Sequence, residues 1–193
     1  MAILFIGGVY VKDRTILNLF TIFGIGGSIF FLLRRKGDLK DWFLIYLIKT
    51  LVSTLFDGPV IKRKYLKYPH RYFPKLFDSN IVFLYILFPL SCVMYNQFTY
   101  NMKPLKSILS VFLFSGPMTL IENWLEKNTK LVEYHKGWNS YITFIVLSFT
   151  FLLVKGCIKG IRFLDKKFKI QPLQQKEKNL QNKLQLPSTL KDQ

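Results

Sequence analysis

The sequence predicts an all-α fold, a polytopic transmembrane helix bundle of about five spanning helices, and two observations support this class. Apolar residues are concentrated in runs close to the ~20 residues that a helix needs to cross a ~30 Å hydrocarbon core. Basic segments separate these runs, and a backbone in lipid has to pair its N–H and C=O groups within its own segment, which makes the runs helical. The predicted spans cover residues 15–33, 42–61, 81–100, 108–125 and 139–158.

The composition agrees with this class. Hydrophobic residues make up 50% of the 193 residues although 20% are charged, and the mean hydropathy is +0.22. A soluble domain would space its apolar residues at periods of 2 or 3.6 around one core. We therefore expect one transmembrane domain over residues 1–170. We expect its first eleven residues either to lie in the interface or to prolong the first helix, because there is no cation before Lys12, whereas a signal peptide carries cations before its apolar stretch.

The connections between the spans are basic. Residues 34–38 form a charged turn that predicts a tight helical hairpin, whereas residues 62–78 interleave six Lys and Arg with aromatic rings. Cations and aromatic rings are typical of the headgroup layer, and all three Trp residues lie at span edges. Residues 171–193 form a basic polar tail with too little apolar surface to fold, so we predict disorder or a frayed helix. The predicted membrane-interface anchors are Trp42, Lys62, Arg63, Lys64, Lys67, Arg71, Trp124 and Trp138.

The formal net charge of +17 indicates a negatively charged partner. Because the cations flank apolar spans, we expect the anionic headgroups of the lipid bilayer and not a nucleic acid. The predicted location is the cell membrane, and the Lys and Arg balance of the connections favours an outer N-terminus and an inner C-terminus by a small margin.

Polar side chains inside two of the spans are the candidate functional residues. Three of them share one face of the second span at i, i+4 and i+8, and two share a face of the fourth span with a carboxylate beside it. An ionisable group at mid-depth costs roughly 2.5–3.5 kcal/mol and normally faces the bundle interior. The six candidates are Lys49, Ser53, Asp57, Thr119, Glu122 and Asn123.

Two interpretations of these residues remain open. They form either a polar pathway or ligand site, or a purely structural set. In the structural set Lys49 snorkels or forms an ion pair with Glu122, and Asp57 lies at a helix end beside Gly58 and Pro59. Glu122 is the strongest single functional candidate, because it lies one turn inside the interfacial Trp124.

The sequence contains no catalytic motif, and we predict neither a catalytic residue, a metal site nor a cofactor. Cys92 and Cys157 fall within or at the end of apolar spans, where a small buried side chain is the ordinary role. His70 and His135 have no Cys or His partner at metal-ligand spacing.

Residues 68–100 and 112–156 resemble small multi-pass membrane proteins of spore-forming Gram-positive bacteria, of the Bacillus and Clostridium kind, which have no assigned function. The resemblance implies a bacterial cytoplasmic-membrane protein and supplies no activity, cofactor or catalytic residue. It rests on Tyr95-Asn96-Gln97, Pro117-Met118, Glu122, Asn128-Thr129 and Lys136-Gly137-Trp138.

The predicted function is that of a non-enzymatic integral membrane protein that contacts lipid or another membrane protein, with a homo-oligomer as one possible assembly. The alternative is a small oligomeric transporter or channel with a polar path along the second and fourth spans. The lack of an evident internal repeat counts against the usual plan of secondary transporters.

Overall fold

The structure, a computed structural model, describes residues 2–33 and 39–184, with side chains described for residues 12–33 and 39–168. The predicted turn at residues 34–38 lies outside the described residues. The elements in chain order are α1 (Ala2–Leu33), α2 (Leu39–Lys62), β1 (Leu66–Lys67), a π-helix (Phe83–Leu87), α3 (Phe88–Phe98), α4 (Pro104–Leu109), α5 (Val111–Asn128), β2 (Glu133–Tyr134) and α6 (Ser140–Leu184).

The predicted all-α helical bundle is confirmed, and within the described part of the chain four helical stretches are long and apolar enough to cross a membrane. These are Lys12–Leu33, Leu39–Lys62, Pro104–Asn128 and Ser140–Phe168. The third predicted span differs, because it is a shorter apolar helix over Phe83–Phe98. At 1.5 Å per residue it is about 24 Å long, less than the ~30 Å of a hydrocarbon core.

This shorter helix lies against its neighbours on several sides. It packs on α1, α2 and α5, and Cys92, Val93 and Tyr95 on it are fully buried. Close approach to α1 requires a glycine, since a Cβ added at Gly24 would lie 2.5 Å from Cγ2 of Ile86. Small residues therefore set the distance between these helices, as they commonly do in membranes.

The π-helix ends where Pro89 interrupts the backbone ladder. Proline has no N–H to donate, so the carbonyl one turn earlier, that of Tyr85, loses its helical partner. The hydroxyl of Tyr46 on α2 donates to this carbonyl at 2.7 Å. A neighbouring helix thus satisfies the carbonyl that Pro89 leaves open.

Part of the segment between α2 and the π-helix is buried, although its basic composition predicts a loop that lies on the membrane surface. β1 pairs antiparallel with β2, Leu66 opposite Tyr134 and Lys67 opposite Glu133. Leu66 and Tyr68 belong to a buried cluster with Leu125, Leu131 and Val132. Alternate residues of the segment therefore face a core that it shares with α1, α5 and the residues before β2.

The predicted interface anchors lie in different surroundings. Lys62, Arg63, Lys64 and Lys67 are exposed, and their contact with headgroups stays a prediction. Arg71 differs, because its guanidinium donates to the carbonyls of Phe77 at 2.6 Å, Tyr68 at 2.7 Å and Pro74 at 3.3 Å. Its main structural role is to hold the turn of its own loop.

The three Trp side chains are also placed differently from one another. Trp124 is 48% exposed, which fits an aromatic belt, whereas Trp138 is half-buried. Trp42, predicted as an interface anchor, is fully buried, with its ring 5.7 Å from that of Tyr100. Trp42 is therefore a core residue and not a belt residue. Its position at a span edge did not reveal this, because the sequence does not show which face of α2 a neighbouring helix covers.

The chain divides into two compact units, Met1–Lys155 and Gly156–Gln193. In the second unit α6 continues as far as Leu184. Most of the tail that was predicted to be disordered or a frayed helix is therefore helical. Gln, Lys, Glu and Leu are good helix formers, and extending an existing helix requires no new nucleus. Residues 185–193 lie outside the described residues.

Candidate functional site

A cavity of ≈ 40 Å³ within the first unit brings together four of the six predicted polar residues. Lys49, Ser53 and Asp57 line it from α2, and Glu122 lines it from α5. The other lining residues come from α2, α3, α6 and the loops beside β1 and β2: Phe56, Leu66, Tyr68, Phe88, Trp138, Thr143, Val146, Leu147 and Thr150.

Lys49 is buried, with 1% of its surface exposed. Its Nζ donates to Oγ1 of Thr150 at 2.6 Å and lies 4.8 Å from the ring centroid of Phe151 and 5.8 Å from that of Phe88. The predicted direct ion pair with Glu122 is not formed, and no carboxylate of the described residues lies within ion-pair distance of Lys49. Hydroxyl and aromatic contacts take the place of the expected carboxylate.

Glu122 is held by hydroxyl groups. Tyr134 and Thr143 each donate to its Oε1 at 3.1 Å. The indole Nε1 of Trp138 donates to Oγ1 of Thr143 at 2.9 Å, which leaves the Thr143 proton for Glu122. Burial and the charge of Glu122 raise the pKa of Tyr134, so its phenol remains a donor.

Asp57 lies nearer the loop end of the same cavity. The phenol of Tyr68 donates a long hydrogen bond to its Oδ2, at 3.5 Å. Burial first, and then the charges of Asp57 and Glu122, raise the pKa of Tyr68 well above its usual value. Tyr68 therefore stays protonated between two carboxylates.

The hydroxyl of Ser53 has no partner among the described residues, although it is buried. Buried polar groups in native proteins are nearly always hydrogen-bonded, to protein or to water. A site needs about 10–15 Å³ to hold one water, and the lining supplies several polar partners. The cavity is thus suited to a few water molecules or to a very small ligand.

The other two predicted residues do not line the cavity. Thr119 is buried and donates to the carbonyl of Ser115 on its own helix at 2.8 Å. Asn123 accepts a hydrogen bond from the hydroxyl of Ser140 at 3.0 Å, which joins α5 to α6. Both are structural contacts between or within helices.

Several site residues were missed in the sequence. Thr143 and Thr150 lie seven residues apart, on one face of α6, and this spacing could have predicted them. Tyr68 and Tyr134 left no such signal, because the pairing of two-residue strands far apart in the chain brings them to the cavity.

A second polar cluster lies further along α6. The ammonium of Lys155 donates to the hydroxyl and, at 3.4 Å, to the carbonyl of Thr99. It also lies 4.9 Å from the ring centroid of Tyr95. Lys49 and Lys155, the two lysines that are buried among the described residues of the first unit, are therefore each held by a threonine and an aromatic ring.

The helices and this cavity define the class of the protein: a helical membrane protein with ionisable groups inside its bundle. Among the described residues there is no group of three His, Cys, Asp or Glu that could hold a metal ion. No family model matches the chain, and comparisons with curated proteins and with solved structures gave no match. The resemblance to the proteins of spore-forming bacteria stays a prediction.

Proposed function

We propose that this protein is a small, non-enzymatic membrane transporter or channel that conducts protons, with Asp57 and Glu122 as the groups that bind and release them. The observation that carries the proposal is the convergence of Lys49, Asp57 and Glu122 on one cavity without an ion pair among them. Ionisable groups inside membrane segments commonly form proton relays and ion pathways.

The energetic cost of this arrangement favours a functional role. A charge at mid-membrane costs roughly 2.5–3.5 kcal/mol on insertion scales, a cost that applies to Lys49 near the middle of α2 and only in part to Asp57 and Glu122, which lie nearer helix ends. Well-packed apolar residues of similar volume are often as stable as a buried ion pair, or more stable. Stability alone therefore does not account for three ionisable side chains in one cavity, two of them beside tyrosines that remain protonated.

The neighbouring cavities suggest how protons reach the site. Asp57 also lines a cavity of ≈ 110 Å³ together with Lys62, Asp78 and Ser79, near the end of α2. Asp57 is about 8 Å from that helix end and Lys49 about 20 Å, at 1.5 Å per residue. Asp57 thus lies near the loop end of a polar route, and Lys49 lies deeper in the bundle.

The size of the site favours protons over larger solutes. A volume of ≈ 40 Å³ accommodates a few waters, which together with the hydroxyls of Ser53 and Thr143 can relay protons. Transport assays in proteoliposomes test this directly. An internal pH dye should report acidification faster than in protein-free vesicles after an external acid pulse, while Na⁺ and K⁺ fluxes stay at the protein-free rate. A proton flux equal to that of empty vesicles would contradict the proposal.

A second candidate function treats the same cluster as structural, in a protein that contacts lipid or another membrane protein. The contacts of Glu122 favour it, because Tyr134 and Thr143 join α5 to β2 and α6. Cysteine accessibility distinguishes the two candidates in a Cys92→Ala, Cys157→Ser background, because the later labelling in denaturant would otherwise also detect both native thiols. Under the proton-pathway proposal Ag⁺ should protect Ser53→Cys from later labelling in denaturant, whereas Thr119→Cys should not be protected. Equal lack of protection at both positions would favour the structural role.

A further inference from the structure

A large cationic pocket lies apart from the central cavity, against the first turns of the membrane-spanning part of α1. Its volume is ≈ 500 Å³, within the range of about 300–1,000 Å³ that is usual for ligand sites. α1 contributes Arg14 and Leu17 to it, and the rest comes from Leu131 and the 69–74 loop. No Asp or Glu is among these lining residues, all of which belong to the described part of the chain.

The pocket is positively charged, and other groups of the protein neutralise only part of this charge. Arg14 is exposed, and within the described part of the chain it has no hydrogen-bond or ion-pair partner. The guanidinium of Arg71 contacts loop carbonyls and lies 3.7 Å from Asp78, whose side chain is 82% exposed and so neutralises it weakly. Carbonyl contacts leave the positive charge of Arg71 in place. The electrostatics of the pocket therefore favour an anion.

The wall of the pocket is held in place before any ligand binds. His70 Nδ1 lies 2.7 Å from Oδ2 of the buried Asp13, which also accepts the backbone N–H of Lys130 at 3.0 Å. One turn further along α1, Asn18 accepts a hydrogen bond from the phenol of Tyr72. These contacts fasten the loop to α1 on both sides of Arg14, and they engage the carboxylate of Asp13. Such preorganisation lowers the cost of binding.

An exposed apolar surface continues from the pocket. Ile22, Ile25 and Ile29 follow Arg14 at i+8, i+11 and i+15, so they lie on its side of α1, and they are 69%, 47% and 55% exposed. At the rim, Phe73 is 63% exposed and has a φ of 53°, a left-handed conformation that is uncommon for an aromatic residue. A ligand with both an anionic group and apolar chains matches this combination.

We infer that the pocket binds the phosphate of an anionic phospholipid, with its acyl chains along the isoleucine face of α1. A guanidinium binds phosphate through paired, charge-assisted hydrogen bonds, and Arg14 is placed to supply them. The exposed Phe73 contacts the acyl chains near the headgroup. This is a defined lipid site, distinct from diffuse attraction to the basic loops, and it does not depend on proton conduction.

Native mass spectrometry of the purified full chain in detergent tests the site, with phosphatidylglycerol and phosphatidylcholine as probes. Arg14→Gln should lower the affinity for phosphatidylglycerol at least about tenfold, because the loss of even one charge-assisted hydrogen bond has this effect. Lys12→Gln is the matched control: it removes an exposed cation from the same helix, about 200° away around the axis at ~100° per residue. Arg14→Lys should retain part of the affinity, because it retains the charge.

Three results would overturn the inference. These are equal losses for Arg14→Gln and Lys12→Gln, equal retention of the two lipids by the wild type, and complete displacement of phosphatidylglycerol by inorganic phosphate. The last result would assign the pocket to free phosphate and not to a lipid. Unchanged thermal unfolding of Arg14→Gln in detergent would show that the fold is intact.

Discussion

The rings of Tyr95 on α3 and Phe151 on α6 stack with their centroids 5.9 Å apart and their planes at 17°. The Lys49 ammonium lies 4.8 Å from the Phe151 centroid, and the Lys155 ammonium lies 4.9 Å from the Tyr95 centroid. Each ring of the stacked pair thus contacts one buried cation. In the proposed pathway this pair is the apolar barrier beyond the cavity.

Removing part of the barrier should increase proton leak. Phe151→Ala leaves a void next to Lys49, which water can enter because polar groups line it. We expect the proton flux in proteoliposomes to rise several-fold. Phe163→Ala is the control, because Phe163 is 69% exposed on the same helix and does not line the central cavity. A flux that is unchanged, or raised equally by both substitutions, would remove the barrier role of Phe151.

The separation of Lys49 from Glu122 predicts weak energetic coupling. Each side chain has its own hydroxyl partners, so Lys49→Gln and Glu122→Gln should destabilise the bundle nearly additively, with a coupling free energy below about 1 kcal/mol. A double-mutant cycle of unfolding free energies in detergent measures this quantity. A larger favourable coupling would indicate the direct ion pair that the sequence predicted.

The buried Asp13 should stabilise the loop end of the bundle. Its Oδ2 interacts with His70 and with the backbone N–H of Lys130, so Asp13→Ala should lower the free energy of unfolding by about 1.5–3 kcal/mol. Asp78→Ala removes an exposed acid from the same region and should cost less than about 1 kcal/mol. Denaturant titration followed by Trp fluorescence measures both, and equal effects would mean that the burial of Asp13 carries no energetic weight.

Packing of α1 against the π-helix gives a further test. Gly24→Ala places a methyl group 2.5 Å from Cγ2 of Ile86, and such overpacking typically costs about 1–3 kcal/mol. Gly26→Ala has no atom within 4 Å of the added methyl group and should be neutral or slightly stabilising. Thermal unfolding in the same detergent compares them. Equal stability of the two variants would mean that α1 can shift away without cost.

Local patterns predicted the class of the fold and the polar residues of two helices. Lys49, Ser53, Asp57 and Glu122 stand out because charge and hydroxyl groups are rare in apolar runs, and one cavity does contain all four. The prediction of a direct Lys49–Glu122 ion pair was wrong, because the rotation and the depth of each helix decide which atoms meet. The spacing of polar residues within one helix reveals neither its rotation nor its depth.

Contacts between residues that are far apart in the chain could not be predicted from the sequence. Tyr68 and Tyr134 reach the cavity only because residues 66–67 pair with residues 133–134, and no local pattern encodes that pairing. The burial of Trp42 likewise depends on where α3 ends, which brings Tyr100 over its ring. Interface anchoring by the exposed lysines, the orientation in the membrane and the family resemblance stay predictions.

Glu122 is proposed, together with Asp57, to bind and release the conducted protons, and Glu126 on the same helix provides its matched control. Glu122→Gln and Glu126→Gln remove equal charge from the same helix one turn apart, but only Glu122 lines the cavity. In proteoliposomes with an imposed pH gradient we expect Glu122→Gln to lower proton flux at least tenfold, while Glu126→Gln conducts as the wild type does. If the folded and inserted Glu122→Gln variant conducts protons at the wild-type rate, this result would contradict the proposed role of Glu122.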